Sequence, residues 1–453
     1  MSKTIPNSVE KIDSRETGAS DYIDFAHPDL FHKTNAFAQF MRDMRTRGHD
    51  TYVHRVSKYT GGCAVVDGTD HSSQQQGVMM ASADYLGLSK HPEVLAASQK
   101  AVEQYGASVC SVPLIAGATS LHSELETALA QFVETEACAL FPTGHAANIG
   151  LIQALCTAKD TVVLDKLVHC SIWDGVRLSG ARWRSFRHSD PEDLARVLEI
   201  IRSKQKDSGI LVVVEGVYGI DGDIAPVGDL LAVCNRFGAR LMVDEAHATG
   251  VLGKTGRGSM ELHGIKDKSL IIMGSLSKSL GSFGGYIAGP AEMVDYLRYY
   301  ARTIAFSVGL PASCAGAAMA GLKILQGQPD RLSQLRSNMR FFKNGLENLG
   351  VVNAKESGSA IFSAPVGNEQ ILRDVARDLF RQGVFTEALV FPAIPEGQER
   401  IRFRVSATHT QAELSRVLQI VGKVFPEHHV ASPSQSIHDP RVGGASDGDT
   451  TGN

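Results

Sequence analysis

Gly274-Ser275-Leu276-Ser277-Lys278-Ser279-Leu280-Gly281-Ser282-Phe283-Gly284-Gly285-Tyr286 is the stretch on which the reading of this chain turns. It sets one lysine among small residues, directly after the apolar run Leu270-Ile271-Ile272-Met273. About thirty residues upstream, Leu241-Met242-Val243-Asp244-Glu245-Ala246-His247 reads as a buried strand ending in an acid, with a histidine three positions on. A lysine that must lose its proton, an acid at a strand end and a nearby histidine together suggest a pyridoxal phosphate site. The lysine can form a Schiff base, and the acid can keep the pyridine nitrogen protonated. Each piece alone has an ordinary reading. A lysine flanked by Ser and Gly is commonly a loop lysine, and an Asp at a strand end commonly caps a helix. The case rests on the order of the pieces and on what precedes them.

Upstream, Ala139-Leu140-Phe141 runs into Pro142-Thr143-Gly144-His145-Ala146-Ala147-Asn148. An apolar strand followed by Thr-Gly and a helix is a natural anion site, because free N–H groups and the helix N-terminus favour a phosphate. A plain helix cap gives the same local pattern. Val162-Val163-Leu164-Asp165 is a strand end, followed shortly by His169-Cys170. Read alone, His169 is at least as readily structural, and Cys170 reads as a small buried cysteine. Ile210-Leu211-Val212-Val213-Val214-Glu215 is nearly all apolar, as expected inside a sheet covered on both faces. Strand–loop units with intervening helices predict an α/β chain built on an open, mostly parallel sheet, with its ligand at the strands' C-terminal ends. Gly250, Gly253, Gly256 and Gly258 form a loop that lacks a dinucleotide fingerprint.

The chain has 453 residues, enough for more than one domain, and a formal net charge of −4. Nothing in that balance favours nucleic acid or a membrane surface as partner. Seven scattered cysteines show no paired metal-ligand spacing, so no metal is expected, and they read as reduced and intracellular. There is no apolar leader and no run of membrane-spanning length. The expectation is a cytoplasmic, enzyme-sized protein. Residues 1 to about 25 are polar and read as loose. Phe37, Phe40, Met41 and Met44 recur at helical spacing between Leu30 and Arg47, with His32 and His49 read as surface residues. Gln74-Gln75-Gln76-Gly77 reads as a loop. The predicted division is an N-terminal arm and helix over 1–80, a large domain over 81–325, a small C-terminal α/β domain over 326–427 and a disordered tail over 428–453.

From about Ser82 to about Val421 the chain resembles the alpha-oxoamine synthases, a branch of the fold-type I pyridoxal phosphate enzymes with the aspartate aminotransferase-like fold. Blocks follow in the family's order. Tyr85-Leu86-Gly87-Leu88 matches one, with Ala83 where the family has asparagine. Gly117, His122, Leu125 and Glu126 match another, read as mainly architectural, with Pro113 in place of an arginine. The resemblance assigns Thr143, Gly144 and His145 to the cofactor's phosphate end, and Ser275 supplies a phosphate-binding hydroxyl. It stacks His169 on the pyridine ring, with Val168 and Cys170 replacing asparagine and alanine. It pairs Asp244 with the pyridine nitrogen, His247 with the phenolic oxygen, and makes Lys278 the Schiff-base residue and α-proton base. Gly219 replaces a serine that would reach the phenolic oxygen. Ala83 and Gly219 thus border the substrate.

Ile304 to Pro311 matches a segment that crosses a dimer interface toward the partner's phosphate, keeping Ser307 but with Val308 for threonine. Arg400-Ile401-Arg402-Phe403-Arg404 opens a block in which Arg402 holds the substrate carboxylate. Bidentate guanidinium binding suits that task. Arg400 and Arg404 read as surface or acyl-carrier-binding residues. What the resemblance implies is a homodimer with sites near the subunit interface. Its reaction would be decarboxylative condensation of an amino acid with an acyl thioester, carried on coenzyme A or on an acyl carrier protein. The same apparatus supports transamination, decarboxylation or carbon–sulfur lysis. A cofactor-binding scaffold with a decayed site is a third reading, against which the intact Lys278, Asp244, His247 and His169 stand.

Overall fold

The computed structural model describes residues 13–23, 27–50, 55–67, 74–352 and 358–430. The tail expected from 428 falls outside these from residue 431 onward. Near the N-terminus, β1 (Val56–Thr60), β2 (Cys63–Asp67) and β3 (Gln74–Met79) pair as an antiparallel meander. The Gln74–Gly77 stretch is therefore a strand and not a loop. Its backbone finds partners in β2, which outweighs the weak strand propensity of glutamine.

Seven strands follow as the central sheet: β4 (Ala137–Phe141), β5 (Thr161–Asp165), β6 (Arg182–Phe186), β7 (Ile210–Glu215), β8 (Arg240–Asp244), β9 (Ile271–Ser275) and β10 (Gly285–Gly289). Their spatial order is β4-β10-β9-β8-β7-β5-β6. Only β10 runs antiparallel to its neighbours. Every residue of β5, β7 and β9 is buried, which requires helices on both faces and explains their apolar runs. The parallel strands all point the same way. The turns that follow Phe141, Asp165, Glu215, Asp244 and Ser275 therefore gather along one edge of the sheet. This is the fold-type I α/β architecture, with the mostly parallel sheet that the sequence predicts.

The long helices Ala312–Gly327 and Pro329–Asn348 lead to β11 (Ile361–Pro365), β12 (Val384–Phe385), β13 (Glu387–Leu389) and β14 (Arg400–Arg404). Strands β11, β14 and β13 form a small antiparallel sheet, while β12 joins the N-terminal meander by pairing with β3. The N-terminal segment thus shares a sheet with the C-terminal region. Residues 13–23 are not loose: Ser14 and Tyr22 are buried, and Arg373 Nη1 donates to Ser14 O at 2.8 Å. His49 is likewise buried and bonded to Asp374 at 2.8 Å, because the helix Glu369–Arg381 carries acids and arginines toward the arm.

One glycine sets how closely β10 approaches the turn after β4. A Cβ at Gly285 would lie 2.6 Å from Gly144 Cα and 2.7 Å from both Gly144 N and Thr143 O. All three are backbone atoms, so relief would require moving the helix that starts there. Gly285→Ala is expected to lower the unfolding free energy by about 1–3 kcal/mol, as overpacking does. A denaturant midpoint unchanged from wild type would show that the helix yields at no cost.

Candidate active site

The sheet edge brings together the residues that the sequence separates by more than a hundred positions. After β4, Thr143 caps the helix Gly144–Leu155, its Oγ1 accepting from Ala146 N at 2.9 Å. The N–H groups of Gly144 and His145 are left without acceptors inside the helix. Ser275, at the end of β9, lies across from Gly144: a Cβ built there would be 3.7 Å from Ser275 Oγ. Ser275 Oγ and Ser277 Oγ are 2.7 Å apart. Free N–H groups, a helix N-terminus and two hydroxyls make an anion cradle.

After β5, His169 caps the helix Cys170–Ser179 and bonds Ser171 Oγ through Nδ1 at 2.7 Å. Its own N–H donates to Glu215 Oε1 at 2.6 Å. The His145 and His169 rings meet edge to face at 6.4 Å. Cys170 is exposed, not buried: it is the first residue of that helix, beside the His169 ring. His145, His169 and Cys170 present metal-ligand atoms within 4.8 Å of one another, a cluster that the cysteine spacing did not predict.

Asp244, ending β8, is buried. Its Oδ1 accepts from Ala246 N and its Oδ2 from Asn148 Nδ2, both at 2.9 Å. Both donors are neutral amides. His247 Nδ1 meets Tyr85 OH at 2.7 Å, and its other nitrogen faces Gly219, whose added Cβ would be 2.8 Å away. Burial first, and Lys278 second, push the His247 imidazole well below its usual range, so it is neutral. His169 is lowered as well, chiefly by burial. Burial draws the Lys278 amine down to about 8, with Asp244 and then Glu215 opposing the fall and Arg404 and Arg402 adding to it.

The family model for class I and II aminotransferases matches residues 75–421. The chain is 35% identical over 403 residues to 4-hydroxy-2,2'-bipyrrole-5-methanol synthase PigH of Serratia sp., covering 88% of this chain and 61% of that longer protein. It is 37% identical over 355 residues to 8-amino-7-oxononanoate synthase 1 of Bacillus subtilis, covering 78% and 90%. Serine palmitoyltransferase from S. paucimobilis, solved with a bound PLP–myriocin aldimine, superposes with a TM-score of 0.83 at 29% identity, covering 89% of this chain and all (100%) of that one. This chain belongs to the alpha-oxoamine synthases. It is a pyridoxal phosphate enzyme, and the chemistry of its family is condensation and transfer.

The donor set fits that cofactor. An amine that readily gives up its proton, a buried carboxylate, a histidine and an anion cradle stand at one sheet edge. Lys278 would hold the aldehyde carbon, Asp244 the ring nitrogen, His169 the ring face, and Thr143, Gly144, His145 and Ser275 the phosphate. Ser307 takes no part in this chain's cradle among the described residues; its hydroxyl bonds Val308 O at 3.4 Å. Ala83 is partly buried against the core, its carbonyl accepting from Tyr85 N at 2.8 Å.

The small antiparallel sheet reaches the site through β14. Arg402 Nε donates to Glu387 Oε2 at 2.6 Å, and its Nη1 donates to Gly219 O. Arg400 and Arg404 are not surface residues. Both are buried, Arg400 on Asp221 and Arg404 on Ala81 O at 2.6 Å and Glu387 Oε1 at 2.8 Å. The signal for this was in the sequence. Positions 400, 402 and 404 alternate with Ile401 and Phe403, so one face of the strand is apolar and the other carries all three cations. Glu215 gains a role too, tying His169 N to Gly219 N (3.2 Å) across the site. Burial, with the Asp244 charge beside it, holds its carboxyl well above the ordinary range.

In cofactor-free protein, labelling of Lys278 by an amine-reactive ester, quantified by mass spectrometry, is expected to rise with pH through a midpoint near 8. Only the neutral amine reacts. Asp244→Asn removes the charge that favours the ammonium and is expected to move the midpoint lower. A midpoint that stays near the ordinary lysine range, or rises in the variant, would contradict this electrostatic assignment.

Proposed function

We propose that this synthase condenses an amino acid with an acyl thioester and releases carbon dioxide, a free thiol and an α-amino ketone. The observation that carries the proposal is that Arg402 donates to the carbonyl of Gly219, the residue against which His247 packs, while its charge and that of Arg404 bear on Lys278. A base that readily loses its proton thus shares its surroundings with cations suited to a carboxylate. Bound pyridoxal phosphate supplies the electron sink for charge that develops at the substrate's α carbon. Asp244 would hold the ring nitrogen in its protonated form. Lys278 takes the α proton. Arg402 orients the carboxylate that is lost, and so helps select the bond that breaks. The neutral His247, fixed by Tyr85, offers a hydrogen bond to the phenolic oxygen or to the new carbonyl.

Aminotransferase, decarboxylase and carbon–sulfur lyase chemistry stand as the alternatives on the same apparatus. The acyl donor is a coenzyme A or carrier-protein thioester. The relatives named above include synthases of a linked bipyrrole and of 8-amino-7-oxononanoate, and this chain's Ala83, Pro113, Gly219 and Val308 depart from the family pattern around the substrate. A second copy of the chain completes the assembly in this proposal. Phe306 is 81% exposed and Ile115 79%, large apolar side chains on the segment expected to reach a partner's phosphate and on the loop 111–117 packed beside it.

Thiol release from the cofactor-loaded protein, measured across a matrix of amino acids and acyl thioesters with mass detection of products, tests the reaction. Release that needs both substrates, with a product short by one carbon dioxide, is expected. Lys278→Ala should cost at least about a hundredfold, the low end for losing a positioned base. Amino-acid turnover without acyl transfer from short, long and carrier-bound donors would favour one of the alternatives.

A further inference from the structure

The arginine assigned to the substrate carboxylate is already holding one. Glu387 stands directly opposite Arg402 in the antiparallel β13–β14 pair, in register. Its Oε2 accepts from Arg402 Nε at 2.6 Å and its Oε1 from Arg404 Nη1 at 2.8 Å, so one carboxylate bridges two guanidinium groups. The arginine side chains are 12% and 10% exposed and that of Glu387 is 29% exposed. The acid is the most solvent-exposed member of the triad. Arg404 has a buried Nε–H with no hydrogen-bond partner among the described residues, a donor held in reserve.

We propose that Glu387 is an internal stand-in for the substrate carboxylate, and that Arg404 receives it when the amino acid binds Arg402. The proposal rests on the reading of Arg402 given above. Two cations and one anion leave a single positive charge, which matches one incoming carboxylate. To take the Nε edge of Arg402, that carboxylate must displace Glu387. Without Arg404 the displaced acid would be left unpaired beside a buried site, at a large penalty. With Arg404 it keeps a charged partner throughout. Glu387 and Arg404 are therefore positioning residues that set the affinity for the amino acid through Arg402. They discriminate for an α-carboxylate without touching the bonds that react.

The two partners should then shift affinity in opposite directions. Binding to the holoenzyme is measured by titration calorimetry and by the cofactor's absorption. The probes are glycine, L-alanine and L-serine, each beside its decarboxylated amine (methylamine, ethylamine, ethanolamine). Glu387→Gln frees Arg402 and is expected to tighten amino-acid binding about tenfold, one charged hydrogen bond's worth. Arg404→Gln is expected to weaken it by about as much, and Arg404→Lys to restore most of the loss. Binding of the amines should not change in any variant. Amino-acid binding weakened by both substitutions, or amines shifted as much as amino acids, would overturn the proposal and leave the triad a structural clamp. If Arg404→Gln fails to fold, the sign of the Glu387→Gln effect decides alone. A wild-type holoenzyme that binds none of the amino acids would overturn the Arg402 reading and this proposal with it. Binding that neither variant alters would overturn this proposal only.

Discussion

An ammonium group withdrawn from water must be paired or give up its proton, and Lys278 sits where those outcomes nearly balance. The rest of the site serves that balance. β7, β8 and β9 are parallel and adjacent, with Glu215 paired to Asp244 and Asp244 to Met273 in register. Two acids therefore end at one level, close to the lysine that follows β9. Buried neighbours of like charge do not both stay ionised. Glu215 is the one driven upward, and it spends its oxygens on the N–H groups of His169 and Gly219. Asp244 meets a different pair of donors, the side-chain amide of Asn148 and the N–H of Ala246. The difference between the two acids follows from which donors each carboxylate meets.

Much of this was legible in the sequence because strand-end residues are marked by the apolar runs before them. Asp165, Glu215, Asp244 and Ser275 each close such a run, and parallel pairing then gathers them whatever their separation along the chain. What the runs do not show is partnership across domains. Arg404 looked like a surface residue because charge at a strand position suggests solvent, and only the apolar face at Ile401 and Phe403 hints that the strand is covered on both sides. His49 was misplaced for a related reason. Its partner, Asp374, is some three hundred residues away, and no local pattern records that contact. Cys170 erred in the other direction, since a helix's first residue points wherever the cap turns it. Gln74 to Gly77 became a strand through pairing with β2, a tertiary gain that propensity cannot report.

The turn after β7 joins these local facts into one device. Glu215 Oε2 accepts from Gly219 N, Arg402 donates to Gly219 O, and Arg400 pairs with Asp221. Asp223 meets His188 Nε2 at 2.7 Å, while His188 Nδ1 meets Asp165 at 2.9 Å. Burial opposes a charge on that imidazole, but bonds to the two carboxylates prevail and raise it to about 10. It is therefore a cation across neutral pH, anchoring the turn to the end of β5. The two arginines anchor the same turn to β14. Where the turn packs against His247 the chain has glycine. Any Cβ at residue 219 would crowd His247 Nε2, and with it the hydrogen bond that Tyr85 makes on the ring's other side. The absence of a side chain at Gly219 is thus what lets a turn held by Glu215, Arg400 and Arg402 lie flush against a neutral histidine.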